Sequence, residues 1–149
     1  MDTKTRLQQA LKEALRAKDM LRKETLRTAL AEIKMAEVEK QRPLTEDEVL
    51  AVLQKQVKMR RETLEAAQRG GRTDLVERTQ AVIAVLEEFL PQPLSEAELE
   101  ALAREVIAEV GAQGPRDMGK VMKALMPRLR GRATGQQASA VVRRLLSQA

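Results

Sequence analysis

The stretch most suggestive of chemistry is GPRDMGKV, residues 114–121. Gly114, four residues, Gly119 and Lys120 reproduce the spacing of a phosphate-cradling loop up to its lysine. Such a loop needs a strand before it, a helix after it, and a Ser or Thr following the lysine to reach magnesium. Here residues 96–110 read as helix and Val121 follows Lys120. Pro115 also removes one N–H from the would-be phosphate nest. Nucleotide binding is therefore rejected. Asp117 reads instead as a helix N-cap, its carboxylate accepting the N–H of Gly119 or Lys120. Gly119 reads as a place where another backbone comes close.

Other reactive chemistry is thin. The 149 residues contain no His, Cys, Trp or Tyr, and Phe89 is the only aromatic. That removes disulfides, thiol chemistry, the commonest transition-metal ligand and the commonest general base near neutral pH. Stacking of bases on aromatic side chains is nearly excluded as well. Acids cluster at Glu46/Asp47/Glu48, Glu87/Glu88 and Glu96/Glu98/Glu100. They fall in first helical turns or on polar faces, where carboxylates favour a helix N-terminus. Ser95, Ser139 and Ser147 have no histidine to activate them. No catalytic residue, metal site, cofactor or small-molecule substrate is evident.

The remaining signal is positive charge. Lys120, Lys123, Arg128, Arg130 and Arg132 fall within thirteen residues, and Arg143-Arg144 follow. Residues 111–149 hold eight basic residues and one acid, Asp117, whereas residues 43–110 are net −6. Lys120 and Lys123 are one helical step apart and share a face. The planar arginine fork suits phosphate. This charge asymmetry predicts an anionic partner contacted by Lys120, Lys123, Arg128, Arg130, Arg132, Arg143 and Arg144.

The elements that carry these residues read as helices throughout, with no period-two strand pattern. Leu7, Leu11 and Leu15 place a stripe on a helix over residues 4–18. Asp19 caps a second helix with Leu26, Leu30 and Ile33 inward, continuing to Glu37 or Val38, and Pro43 stops it. Thr45 and Glu48 form a capping box for a third helix, which Gly70-Gly71 ends. A fourth runs over 73–90 with Leu75, Val82, Leu86 and Phe89 inward. LPQPL then makes a stiff connection. Ser95 and Glu98 form a second capping box, opening a helix with Leu99, Leu102, Val106 and Val110 inward. A sixth helix carries Met118, Met122, Leu125 and Leu129, with Pro127 bending or shortening it. GRATG, with Gly131 and Gly135, makes a turn before a last helix with Val141, Val142, Leu145 and Leu146. The methionines at 118, 122 and 126 read as pliable core filler.

The predicted architecture is all-α. A four-helix N-terminal domain covers 1–90, a proline-containing linker 91–94, and a smaller, basic three-helix domain 95–149. No run approaches a membrane span and the N-terminus lacks an apolar signal core. A soluble cytoplasmic protein is the resulting expectation.

The stretches LRTALAEIKMAEVEK, LTEDEVLAVLQKQVKMRRE, GRTDL, EEFLPQPLSEAEL and DMGKVMKALMPRLRGRATG occur in order along nearly the whole chain. In these the chain resembles the YqeY family, the GatB/YqeY domain proteins. Phe89 stands where the family often has Tyr, and Thr134 where Asp is usual. The resemblance implies an all-helical, two-part fold and kinship with the C-terminal tail of the B subunit of the tRNA-dependent amidotransferase. That enzyme amidates Glu-tRNA(Gln) or Asp-tRNA(Asn), and its tail touches tRNA while the chemistry lies elsewhere. A similar domain assists tRNA binding in some glutaminyl-tRNA synthetases. The resemblance thus implies a tRNA-binding accessory role, or a module docking an amidotransferase or aminoacyl-tRNA synthetase. A carbon–nitrogen ligase activity with glutamine as amido-N donor is the family-level label, and no residues here supply it.

Overall fold

The computed structural model describes residues 1–148. It is all-α: α1 (Thr3–Ala17), α2 (Met20–Lys40), α3 (Glu46–Arg69), α4 (Thr73–Glu87), α5 (Glu96–Val110), α6 (Met118–Leu129) and α7 (Gly135–Ser147). One 3-10 turn, Pro115–Asp117, runs directly into α6. Among the described residues there is no strand. No helix among them is long and apolar enough to cross a membrane.

Local chemistry sets most boundaries. Asp2, Asp19, Thr45, Ser95 and Thr134 each accept a backbone N–H of the first turn they precede. This satisfies donors that have no partner within the helix. The backbone N–H groups of Thr45, Ser95 and Thr134 in turn donate to the side chains of Glu48, Glu98 and Gln137, which completes a capping box at each. The Thr134 box was not among the sequence expectations: GRATG was read as a turn, and Gln137 was not paired with Thr134. Left-handed residues end α1 at Lys18, α2 at Gln41 and α5 at Gly111.

The chain divides into two compact units, Met1–Leu90 and the residues from Pro91 onward. The core of the first is built on Leu7, Leu26, Ile33, Leu53, Leu86 and Phe89, all buried. One expectation for this unit is corrected. Leu15 does not continue the buried stripe of α1; it is 45% exposed, and Ala14 is buried in its place. Of the two ends expected for the α2 stripe, Glu37 and Val38, it closes on Glu37. Glu37 is half-buried, accepts the Leu44 N–H at 2.9 Å and pairs with Lys4 at 2.8 Å.

The second unit closes around Leu99, Val106, Val121, Leu125, Val142 and Leu146. Val121, the residue that ruled out a magnesium-binding loop, is fully buried. Met118 and Met122 pack against this core as filler, whereas Met126 is exposed. Pro127 lies inside α6 without stopping it, and the helix ends two residues later at Leu129.

Candidate nucleic-acid interface

The 114–121 segment adopts a different local geometry from the one its sequence suggested. Asp117 occupies the N-cap position of α6, but its carboxylate makes no capping bond to that helix. Its backbone (φ −92°, ψ 7°) belongs to the preceding 3-10 turn instead of the extended cap conformation. The carboxylate therefore turns back and accepts the Gln113 N–H at 2.9 Å. The close backbone approach expected at Gly119 is also absent. No atom outside its own helix lies within 4 Å of where a Cβ would stand. Gly131 is different: it sits at φ +74°, directly after Arg130 at φ +47°. Two successive left-handed residues reverse the chain after α6, and glycine meets that requirement at the second without a Cβ penalty. A Cβ at Gly135 would stand 3.5 Å from Met126 Cε, an ordinary contact.

The seven basic residues read as anion ligands divide into two groups. Arg128, Arg132 and Arg144 are engaged within their own unit. The Arg128 guanidinium spans two carboxylates one turn apart on α5, Glu105 at 3.1 Å and Glu109 at 2.8 Å. Hydrogen bonding to Glu105 and then Glu109 holds its pKa above the ordinary arginine value. Arg132 donates from Nε to the Gln92 carbonyl at 2.7 Å, while the Leu94 N–H donates to the Arg132 carbonyl at 2.8 Å. Its guanidinium lies 3.7 Å from Glu98. Arg144 reaches Glu100 at 3.4 Å, which Arg104 also holds at 2.8 Å. Glu98 is pushed below its usual pKa chiefly by the Ser95 N–H, and Glu100 by Arg104 and then Arg144.

Lys120, Lys123, Arg130 and Arg143 are exposed and make no ion pair among the described residues. Lys120 and Lys123 share the outer face of α6, as their spacing predicted. Arg116 joins them and was missed. It is exposed on the 3-10 turn that leads straight into α6, so Arg116, Lys120 and Lys123 recur at four- and three-residue steps. The spacing was present in the sequence, but placing the N-cap at Asp117 left Arg116 outside the helix. Arg130 follows at the C-terminal end of the same helix, and Arg143 stands on α7.

The acids of α5 also reduce the apparent charge of the region. From residue 91 onward the sequence holds nine basic residues and six acids, so the unit is net +3. What it offers an anion is a row of unpaired cations rather than a generally positive domain. Among the described residues no group of three or more Asp, Glu, His or Cys is placed to hold a metal ion. Phe89, the only aromatic, is buried in the first unit and presents no stacking surface.

Comparison with known proteins adds three findings. A protein of the yeast Lachancea thermotolerans, Altered inheritance of mitochondria protein 41, mitochondrial, is 34% identical over 118 residues, covering 77% of this chain and 63% of its own length. The protein of the same name from Pyrenophora tritici-repentis is 33% identical over 135 residues, 89% of this chain and 74% of that one. The chain thus spans about two thirds of the curated relatives it matches. Their names place those proteins in mitochondria, which overturns the cytoplasmic expectation; lack of cysteine does not distinguish the two compartments. The family model described as Yqey-like protein matches residues 4–146, and the chain belongs to the YqeY family.

Proposed function

We propose that this chain is a tRNA-binding accessory protein whose second unit contacts the phosphate backbone. The observation that carries the reading is the exposed row Arg116, Lys120, Lys123 and Arg130 along and beyond α6, none of them in an ion pair among the described residues. Cations already held by carboxylates would have to break those pairs before meeting phosphate. Cations free in solution only release counterions. The resemblance to the tRNA-contacting amidotransferase tail supports tRNA as the source of the phosphates. With no exposed aromatic, binding rests on backbone shape and charge rather than on stacked bases. The reading assigns the chain no bond-making chemistry of its own; it would hold tRNA for an amidotransferase or aminoacyl-tRNA synthetase.

The test is a filter-binding titration with bulk tRNA across a range of salt. Four phosphate contacts give a slope of log affinity against log salt of about −3. Lys120→Glu, Lys123→Glu and Arg130→Glu together should abolish binding at low salt. Wild-type protein that fails to bind tRNA at low salt, or a triple variant that binds equally well, sinks the reading.

A further inference from the structure

The first unit carries a groove unrelated to the basic row. It runs between the C-terminal half of α2 and the middle of α3, with a volume of about 1090 Å³. Thr28 to Glu39 form one wall and Val52 to Thr63 the other. Each wall spans eleven helical steps, about 16 Å at 1.5 Å per residue. Met35, Val38 and Met59 line it and are 65%, 69% and 55% exposed. They are three of the seven large apolar side chains the described residues leave in solvent, gathered in one place. Such clustering marks an interaction surface, whereas scattered exposed apolar residues do not.

Charge is sorted across the groove. The α2 wall presents Glu32 and Glu39 with Lys34 between them, and the α3 wall presents Lys55 and Arg60 and no acid. None of these five takes part in an ion pair among the described residues. A wall with two acids and one base thus faces a wall with two bases, without the two closing on each other.

We propose that this groove docks an amphipathic helix of a protein partner, about three turns long. Its apolar strip would lie on Met35, Val38 and Met59, its basic edge along Glu32 and Glu39, and its acidic edge along Lys55 and Arg60. An extended peptide fits poorly. Both walls are helices whose backbone groups are already paired, so a strand would leave its own N–H and C=O groups against methionine and valine. A helix satisfies those groups internally and meets the groove through residues at i, i+3, i+4 and i+7. Methionine suits such a floor because its flexible thioether adapts to the incoming side chains. Nucleic acid is disfavoured by the Glu32 and Glu39 carboxylates and by the apolar floor. The inference is independent of the tRNA reading, since it uses other residues in the other unit.

The experiment is fluorescence anisotropy of the full chain with a labelled, helix-stapled fourteen-residue peptide. It carries leucines at i, i+3, i+4 and i+7, glutamates along one edge and lysines along the other. The expected result is saturable one-to-one binding. Val38→Asp with Met59→Asp should weaken it more than tenfold. Both positions are exposed, so circular dichroism should report an unchanged fold, and Leu15→Asp, outside the groove, should bind as wild type. Glu32→Lys with Glu39→Lys should weaken the mixed-edge peptide about fivefold, the loss of two surface ion pairs. The same variant should improve binding of a peptide with glutamates on both edges. Absence of saturable binding overturns the proposal, as does binding indifferent to the aspartate pair. Sedimentation showing a dimer dissolved by that pair assigns the groove to a second copy and overturns it too, as does displacement of the peptide by tRNA.

Discussion

Arg132 and Gln92 lie forty residues apart in sequence and are joined by a 2.7 Å bond from the guanidinium Nε to the backbone carbonyl. The return bond from Leu94 N–H to the Arg132 carbonyl makes a two-point clasp between the turn after α6 and the segment leading into α5. A residue that reads from sequence as a phosphate ligand thus works as a fastening of its own unit. Arg132→Ala should lower stability by about 1 kcal/mol, a net hydrogen bond's worth, by chemical denaturation. Arg132→Lys should recover little, since an ammonium cannot present Nε to Gln92 while facing Glu98.

Arg128 and Lys123 separate fold from binding. Arg128→Glu would set a third carboxylate against Glu105 and Glu109, so the melting temperature should fall. Lys123→Glu touches no ion pair and should leave the melting temperature within a degree or two of wild type, while reducing the salt slope of tRNA binding by about one. Equal effects of the two on tRNA binding would contradict the division into engaged and free cations.

Gly119→Ala should stabilise the protein. The residue lies in α6 with nothing within 4 Å of a Cβ position. Alanine then gains helix propensity, up to about 1 kcal/mol relative to glycine, without a clash. A lower melting temperature for this variant would mean that a backbone does approach there.

Caps offer an independent check on the second unit. Thr134 Oγ1 accepts the Gln137 N–H at 3.0 Å and Gln137 Oε1 accepts the Thr134 N–H at 2.9 Å. Thr134→Ala should cost about 1 kcal/mol of unfolding free energy. Asp117→Ala, by contrast, removes only a loop bond to Gln113 and no helix cap, so its cost should be smaller.

Acid should loosen the first unit through Glu48. Hydrogen bonds from Arg42, then the Thr45 N–H and Lys40, hold its carboxyl far below the usual range. Glu37 is depressed in the same sense by Lys4 and the Leu44 N–H. A carboxyl with a lowered folded pKa contributes stability that is fully present above its unfolded pKa, about 4.3. That contribution is lost as pH falls toward the folded value. Stability followed by denaturant titration should therefore decline below about pH 4.3, and Glu48→Gln should flatten the decline. Glutamine still serves in the capping box, so the variant isolates the charge.

The sequence by itself determined the helices and most of their ends. A capping acid, a threonine three residues before a glutamate, or a proline after a helix acts within one turn of chain, so neighbours in sequence suffice to read it. Asp19, Thr45, Ser95 and Pro43 were legible for that reason. The row Lys120–Lys123 was legible too, because helical spacing alone puts both on one face. Which cations are free was settled only by packing. Glu105 and Glu109 meet Arg128 from about twenty residues away, Glu100 meets Arg144 from forty-four, and Gln92 meets Arg132 from forty. Net charge along the chain records how many cations there are, but ion pairs form through space. Only the packing of α5 against α6 and α7 distinguished cations that bind the fold from those left to bind something else.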